Sequence, residues 1–269
     1  MSIDFTGRTA LITGASSGLG AEFARRLAAR GSHLVLVARR GALLEQQGAT
    51  LRREFGITVT TIAADLGQPR IGRTLRDDLA ARNISISTLI NNAGFATYNP
   101  FIEEDADRIA AEIQLDVATL VDLAHAFLPD LLADGTGALV NVASTAAFQP
   151  LPRMAVYGAS KAFVLNFTQA IAYENRDSSL KILALCPGAT RTEFFDVVGT
   201  DAAAVGSFQT PEQVVTTALH ALDRRKTPAY VVSGTGNRLS TSMASLAPRS
   251  VATALAGRML AHDTTGSGR

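Results

Sequence analysis

The chain has 269 residues, of which 47% are hydrophobic and 18% are charged, and this composition excludes intrinsic disorder for most of its length. Its 25 basic and 24 acidic residues leave a net charge of +1, which excludes the strongly basic surface that nucleic acid binding requires. The single cysteine excludes an intrachain disulfide and a cysteine-rich zinc site, and we expect no metal ion. The sequence has no signal-peptide pattern and no apolar run as long as a membrane span, so we expect a cytoplasmic protein.

Apolar strands alternate with amphipathic helices along residues 1–232, which we assign to one domain. The strands are continuous apolar runs, as expected for strands that helices cover on both faces. The pattern predicts an α/β fold with a doubly wound, mainly parallel seven-stranded sheet and helices on both faces. The predicted strands are 9–12, 33–38, 57–62, 87–91, 137–142, 180–185 and 229–232, and the predicted helices are 18–30, 42–55, 69–83, 104–132, 155–175 and one that opens at Thr210-Pro211.

Residues 233–269 form a C-terminal extension of this domain. We predict a loop over 233–237 and a single amphipathic helix over 246–262. Its apolar stripe is expected to pack on its own subunit, with an oligomer contact as the second alternative and an anionic membrane surface as the third. The residues of the stripe are Ala247, Val251, Leu255 and Met259.

A glycine-rich turn joins the first predicted strand to the first predicted helix. Glycine allows a tight turn and lets backbone N–H groups approach a pyrophosphate, and the helix N-terminus adds a partial positive charge. The turn predicts a dinucleotide site, and the alternative is an ordinary glycine-rich connection. The contacts expected from this turn are Gly14, Ser16, Ser17, Gly18, Leu19 and Gly20.

Two arginines follow the second predicted strand, where the ribose of a dinucleotide is expected. An acidic residue at this place would repel a 2′-phosphate. A guanidinium instead pairs with a phosphate and stacks on adenine. Arg39 therefore predicts NADP(H) as the cofactor, with Arg40 as a second contact. The alternative is two solvated arginines at a helix start.

Tyr157 and Lys161 lie four residues apart on a predicted helix and share one face. A nearby ammonium stabilises a phenolate and lowers the pKa of the phenol. Tyr157 can then donate a proton to a carbonyl oxygen, or accept one from an alcohol. Ser144 follows a predicted strand and would polarise the same oxygen. The alternative is a surface Tyr–Lys pair beside an unrelated serine.

With these motifs in this order, residues 6–232 resemble the short-chain dehydrogenase/reductase superfamily. The resemblance implies a Rossmann-type fold and an NADP(H)-dependent oxidoreductase that interconverts a carbonyl and an alcohol by hydride transfer. It also implies a homodimer or homotetramer, formed through the helices at 104–132 and 155–175. The motifs that carry the resemblance are Thr13-Gly14-x3-Gly18-x-Gly20, Asp65, Asn91-Asn92-Ala93-Gly94, Ser144, Tyr157-x3-Lys161 and Pro187-Gly188.

Further cofactor contacts are carried over from the family to matching positions. Asp65 would accept from the adenine amino group, with Leu66 beside the ring. Pro187, Gly188 and Thr192 resemble the segment that meets the carboxamide, and Lys161 would hold the nicotinamide ribose. The remaining contacts implied are Asn91, Asn92, Ala93, Gly94 and Tyr157.

One position departs from the family pattern. Family members carry an asparagine that helps to hold a water linked to the lysine, and this sequence has Asp116 there. A carboxylate accepts a hydrogen bond from water but does not donate one. Near Lys161 it would hold the lysine proton more tightly. Three alternatives stay open: the catalytic relay survives in altered form, Asp116 makes the enzyme slow, or the aspartate is merely tolerated on a helix.

Two apolar segments, 145–156 and 190–209, are predicted to border the substrate and favour an apolar ketone or alcohol. The second, with Gly199 and Gly206, suits a mobile lid. Two other functions stay open: a reductase of 3-oxoacyl thioesters, and a non-catalytic NADP(H)-binding sensor. The Tyr–Lys pair argues against the sensor. We expect Cys186 to be a small buried hydrophobe.

Overall fold

A computed structural model of the chain describes residues 3–200, 203–204 and 207–261. A single parallel sheet lies at its centre, as the sequence predicts, with strand boundaries within two residues of those expected. Its strands are β1 (Thr9–Thr13), β2 (His33–Ala38), β3 (Val59–Ala63), β4 (Thr88–Asn91), β5 (Ala138–Val142), β6 (Lys181–Cys186) and β7 (Tyr230–Val232).

Helices cover both faces of the sheet. Along β1, Ala10 and Ile12 belong to the core under one layer of helices, and Leu11 belongs to the core under the other. No helix in the described part of the chain is long and apolar enough to cross a membrane. The helices are α1 (Gly18–Ala28), α2 (Gly41–Phe55), α3 (Ile71–Ala81), α4 (Ala106–Ile113), α5 (Leu120–Asp134), α6 (Ala155–Glu174), α7 (Phe194–Val198), α8 (Pro211–Leu222), α9 (Thr235–Leu246) and α10 (Arg249–Ala261).

The strand order β3-β2-β1-β4-β5-β6-β7 places the switch in winding direction between β1 and β4. A crevice opens beyond the carboxyl ends of the strands at such a point. The Thr13 hydroxyl, at the end of β1, accepts from the N–H groups of Asn92 at 2.9 Å and Ala93 at 3.1 Å. This fixes the loop after β4 beside the glycine turn.

The predicted start of α8 is confirmed, since Thr210 is its N-cap and Pro211 its first residue. The Thr210 hydroxyl accepts from the Gln213 N–H at 3.3 Å, and the Gln213 side chain accepts from the Thr210 N–H at 3.0 Å. This reciprocal capping box satisfies two N–H groups that a helix start leaves without partners.

The single helix predicted over 104–132 is interrupted. Its outer parts are α4 and α5, but Gln114–Thr119 between them form a π-helix. A π-helical turn is wider than an α-helical one and is often found at functional sites. Asp116 lies in this turn and is buried.

The prediction for the C-terminal extension is wrong in one respect. The sequence predicts a loop over 233–237 before one helix, but α9 already begins at Thr235, so the extension has two helices. Asn237 explains the early start, because its amide donates to the Ser233 carbonyl at 2.8 Å and to the Gln209 side chain at 3.3 Å. A division of the chain at residue 232 stays a prediction.

The second helix of the extension packs on its own subunit, but not through the predicted stripe. Val251 and Leu255 are 56% and 59% exposed, whereas Ala252, Ala256 and Leu260 are buried. The small alanines allow a close approach of the helix, and the Tyr98 hydroxyl donates to the Leu260 carbonyl at 2.7 Å. The side chain of Met259 lies outside the part that the structure describes.

Candidate active site

A cavity of about 1360 Å³ opens at the carboxyl ends of the central strands. It brings together nearly all residues that the sequence singles out, from loops after β1, β2, β3, β4, β5 and β6 and from α6. Gly20 and Asp116 do not line it. The predicted residues in its wall are Gly14, Ser16, Ser17, Gly18, Leu19, Arg39, Arg40, Asp65, Leu66, Asn92, Ala93, Gly94, Ser144, Tyr157, Lys161, Pro187, Gly188 and Thr192.

The glycine turn forms a cradle that larger residues would fill. Gly14 and Gly18 have φ angles of +63° and +54°, in the left-handed region that favours glycine. A Cβ atom at Gly14 would lie 2.9 Å from the Asn92 amide nitrogen, and one at Gly18 would lie 3.0 Å from Thr192. A Cβ at Gly20 would collide with the Gly14 carbonyl oxygen, so Gly20 shapes the turn without facing the cavity. An open cradle at the start of α1 fits a pyrophosphate.

The two arginines after β2 have different surroundings. Arg39 is exposed and forms no ion pair within the described part of the chain. Arg40 is engaged, since its guanidinium lies 2.7 Å from a Glu193 carboxylate oxygen and 3.0 Å from the Ser16 hydroxyl. This hydrogen bond from Arg40 lowers the pKa of Glu193. Arg40 as a second phosphate contact therefore competes with Glu193, which sequence reasoning missed because 153 residues separate the pair.

Asp65, the expected adenine contact, lines the cavity near Arg39. Its carboxylate accepts from the Gly67 N–H at 3.0 Å and from the Gln68 amide at 3.1 Å. The backbone N–H of Gly67, then Gln68, lower the pKa of Asp65, and the charge of Arg39 adds a smaller effect. Asp65 is thus an ionised acceptor beside Arg39 at neutral pH.

The position of Asn91, at the end of β4, differs from the expectation. The resemblance places Asn91 along the cofactor, but this residue is buried and its amide donates to Asn141 at 3.0 Å and to the Leu120 carbonyl at 3.4 Å. It therefore joins β4 to β5. Asn92 is the asparagine in the cavity wall, and its amide donates to the Thr13 carbonyl at 2.9 Å.

Ser144, Tyr157 and Lys161 meet in the cavity wall, each nearly buried. The Lys161 ammonium lies 5.5 Å from the centre of the Tyr157 ring and donates to the Val142 carbonyl at 3.3 Å. The Ser144 hydroxyl accepts from the Ala146 N–H at 3.1 Å. The three side chains thus line the same cavity.

The pKa of Tyr157 is raised, not lowered as the sequence suggests. Burial is the largest cause; the ammonium of Lys161 opposes it, and the charges of Asp116 and Glu112 support it. Burial also disfavours the charged form of Lys161, but Asp116 and Tyr157 together outweigh it and raise the lysine pKa. Tyr157 is therefore a protonated phenol beside a charged lysine at neutral pH.

Asp116 contacts Lys161 directly. Its Oδ2 lies 2.9 Å from the Lys161 Nζ, and its Oδ1 accepts from the Phe95 N–H at 3.0 Å. A Cβ atom at Gly94 would lie 2.8 Å from Oδ1, so glycine is needed for this approach. Burial raises the pKa of Asp116, and Lys161 opposes that effect. A catalytic role for Asp116 stays a prediction.

Glu112 is a buried carboxyl that sequence reasoning missed. Its Oε2 accepts from both the backbone N–H of Thr97 at 3.0 Å and the Thr97 hydroxyl at 2.7 Å. Burial raises the pKa of Glu112 to about 7, against the hydrogen bonds from Thr97 and with support from Asp116. The available signal was its position four residues before Asp116, which places both on one helix face.

The segments 145–156 and 190–209 both line the cavity and contribute apolar side chains to it, alongside polar ones such as Gln149 and Glu193. Arg153 and Arg191 do not reach it, since they lie over the rings of Tyr98 at 5.6 Å and Phe208 at 5.1 Å. Gly199 ends α7 with a φ of +87°, whereas Gly206 lies outside the described residues. The apolar wall consists of Phe95, Phe148, Leu151, Met154, Phe194, Phe195 and Val197, and of Met243, Ala247, Val251 and Leu255 from the C-terminal extension.

Cys186 is fully buried at the end of β6. Burial raises the pKa of its thiol to about 12. A thiol in this state is not a nucleophile at neutral pH, in agreement with the expectation of a small buried hydrophobe.

Comparison with known proteins identifies the family. A profile described as "short chain dehydrogenase" matches residues 8–203. Sulfoacetaldehyde reductase of Chromohalobacter salexigens is 36% identical over 226 residues, 82% of this chain and 87% of that protein. A short-chain dehydrogenase from Sphingobium yanoikuyae, solved in complex with NADPH, has a TM-score of 0.77 and 37% identity over 88% of this chain and 92% of that one.

A second solved structure is similar over most of its length. The bulky-bulky ketone specific alcohol dehydrogenase from Comamonas testosteroni has a TM-score of 0.74 and 32% identity, covering 89% of this chain and 93% of that one. Together with the seven-stranded sheet and the cavity at its carboxyl edge, these matches show that the chain belongs to the short-chain dehydrogenase/reductase superfamily of nicotinamide-dependent oxidoreductases.

Proposed function

We propose that this protein is an NADP(H)-dependent carbonyl reductase or alcohol dehydrogenase for apolar substrates. The observation that carries the proposal is that Ser144, Tyr157 and Lys161 line one cavity together with Arg39. The NADPH complex of the Sphingobium protein supports the choice of cofactor.

The glycine cradle would hold the pyrophosphate, and Arg39 the 2′-phosphate of the adenine ribose. A guanidinium without an ion pair is free to form a charge-assisted hydrogen bond with a phosphate. Asp65 stands beside Arg39 and would accept from adenine. Pro187 and Gly188 also line the cavity, where they would meet the carboxamide.

The bound nicotinamide supplies or accepts the hydride. Tyr157 donates its proton to the carbonyl oxygen during reduction and accepts it from the alcohol during oxidation. Ser144 hydrogen-bonds to the same oxygen and stabilises the charge that develops there. Because the raised pKa keeps Tyr157 protonated, the phenol at neutral pH is in the form that donates a proton during reduction.

The substrate side favours a ketone with large apolar substituents. Met243, Val251 and Leu255 line the cavity although they are 63%, 56% and 59% exposed. A bulky substrate would cover these side chains and gain the free energy of their burial. The specificity named for the Comamonas enzyme supports this class.

The test is NADPH oxidation with a panel of carbonyl compounds. We expect turnover to rise from acetone through acetophenone to benzil. A 3-oxoacyl thioester as the best substrate would favour that alternative, and sulfoacetaldehyde as the best would overturn the apolar assignment. NADPH binding without turnover of any compound would favour a sensor.

Exposed apolar side chains on α4 and α6 support a homodimer or homotetramer. Ile113 is 46% exposed, Phe163 44% and Tyr173 68%. These two helices belong to the segments predicted to form the subunit interface. Light scattering after size-exclusion chromatography would measure the mass, and a monomer would contradict this part of the proposal.

A further inference from the structure

Glu112 and Asp116 both accept hydrogen bonds from the loop after β4. Glu112 lies in the last turn of α4 and Asp116 in the π-helical turn, and they are 0% and 1% exposed. Their carboxylates accept from the N–H groups of Thr97 and Phe95, two residues apart in the loop after β4. The two acids therefore lie side by side behind the wall of the active site.

The buried charge cluster, which we define as Glu112, Asp116 and Lys161, contains one ammonium and two carboxyls. The charged and titratable groups that act on Glu112 are Asp116, Lys161 and, from the same helix as the lysine, Tyr157. With both acids ionised the cluster has a net charge of −1, and with Glu112 protonated it is neutral. The charge behind Tyr157 thus depends on one proton.

The geometry of Glu112 disfavours its charged form. Both hydrogen bonds from Thr97 go to Oε2, whereas Oε1 is buried without a hydrogen-bond partner in the described part of the chain. A charged oxygen without a donor is strongly unfavourable in a protein interior. If Glu112 served only to bind Thr97, one acceptor oxygen without a charge would be enough. A glutamine amide would then serve equally well.

We propose that Glu112 is a positioning residue that, by gaining or losing a proton, sets the net charge facing Lys161 and hence the pH range in which Tyr157 exchanges its own proton. The proton comes from solvent and returns to it, and no other bond changes. The effect on turnover rests on the proposed function, but the titrations of Glu112 and Tyr157 do not.

The direction of the effect follows from the sign of the charge. As the pH rises, Glu112 ionises before Tyr157, and the new negative charge disfavours the phenolate. Ionisation of Tyr157 is thereby delayed to higher pH. Removal of the Glu112 charge should let Tyr157 ionise earlier.

The first measurement follows glutamate carboxyl carbons by ¹³C NMR against pH in the labelled protein. We expect one resonance to titrate well above the others in the native protein and in the exposed control Glu174→Gln, and to be absent from Glu112→Gln. A native protein in which every glutamate titrates in the ordinary range would overturn the proposal.

The second measurement follows Tyr157 in protein labelled at the tyrosine Cζ. The chain has four tyrosines, and the resonance of Tyr157 is assigned by its loss in Tyr157→Phe. We expect Glu112→Gln to lower the pH midpoint of Tyr157 by about one pH unit, and Glu174→Gln to leave it unchanged. An unchanged midpoint in Glu112→Gln would show that Glu112 does not act on the tyrosine.

Glu112→Leu separates charge from hydrogen bonding, because it removes both. If charge is the cause, the leucine and glutamine variants lower the Tyr157 midpoint equally, although only leucine releases Thr97. If the midpoint moves in Glu112→Leu alone, the Thr97 hydrogen bonds are the cause and the proposal is wrong. None of these NMR titrations requires a substrate. They would therefore still test the role of Glu112 if no carbonyl compound were reduced.

Discussion

The carboxylate of Asp116 lies 2.9 Å from the ammonium of Lys161, although the family pattern has an amide at this position. Burial raises the pKa of Tyr157, and the negative charge of Asp116 adds to that effect, while the ion pair holds the lysine proton. The site is thereby biased towards a protonated phenol, the form that a reductase requires.

Replacement of Asp116 by asparagine should move the pH dependence of alcohol oxidation. The amide of the variant keeps an acceptor for the Phe95 N–H but lacks the charge that opposes the phenolate. We expect the basic limb of kcat/KM against pH to shift to lower pH in Asp116→Asn, with no loss of kcat. Superimposable profiles would place Asp116 outside the relay, and a large loss of activity would give the carboxylate a catalytic role of its own.

Tyr157→Phe should abolish turnover and leave the cofactor bound. Loss of a general acid costs a factor of about 10² to 10⁴ in rate, whereas the proposed cofactor contacts lie mainly on the glycine turn and Arg39, which line the same cavity. NADPH fluorescence titration measures binding independently of chemistry. The matched control is Tyr173→Phe on the exposed face of α6, and residual activity near the native level in Tyr157→Phe would point to another acid.

Arg39→Asp should reverse the cofactor preference. The native guanidinium would pair with a 2′-phosphate, whereas an aspartate repels the phosphate and accepts from a ribose hydroxyl. We expect native kcat/KM to be higher with NADPH than with NADH, and the order to invert in the variant. Arg73→Asp, on an arginine that is 80% exposed and outside the cavity wall, should change neither value. Equal native kcat/KM for both cofactors would refute the assignment.

Glu193→Gln should strengthen NADPH binding. The change frees Arg40 from its 2.7 Å ion pair and removes a negative charge from the cavity wall. An exposed ion pair contributes up to about 1 kcal/mol, so we expect a several-fold lower Kd for NADPH and an unchanged Kd for NADH. Equal changes for the two cofactors would mean that Arg40 lies away from the 2′-phosphate.

The pH dependence of the protein's stability should reveal the raised pKa of Glu112. Its pKa rises from 4.5 to about 7 on folding, so the folded chain holds this proton over that interval. The contribution to the free energy of unfolding is complete below pH 4.5 and is lost as the pH rises through 7. We expect Tm to fall more over this interval in the native protein than in Glu112→Gln. Parallel curves would contradict a raised pKa.

The sheet, and the placement of most predicted site residues around one cavity, were predictable because their signals are local. Strands covered on both faces are continuous apolar runs, and the glycine turn is contained in Gly14 to Gly20. The same holds for Tyr157 and Lys161, since a spacing of four on a helix fixes a common face.

The residues that were missed depend on distant contacts. Arg40 and Glu193 meet across the cavity, and no local pattern joins them. In the sequence, Glu112 is one of several acids in and just before α4, and only its burial distinguishes it. The stripe of α10 was misread because hydrophobicity favours Val251 and Leu255, whereas close packing selects the smaller Ala252 and Ala256.

Different parts of the chain supply the proposed catalytic groups and the C-terminal part of the apolar wall. The strands β1 to β6, their loops and α6 carry the proposed cofactor contacts and the proposed proton-transfer groups, whereas α9 and α10 supply part of the apolar wall. Substitutions at Met243, Val251 or Leu255 reshape that wall without touching the glycine turn or Tyr157. The range of accepted molecules can therefore diverge between related sequences by changes in these two helices, while the machinery of hydride transfer is inherited intact.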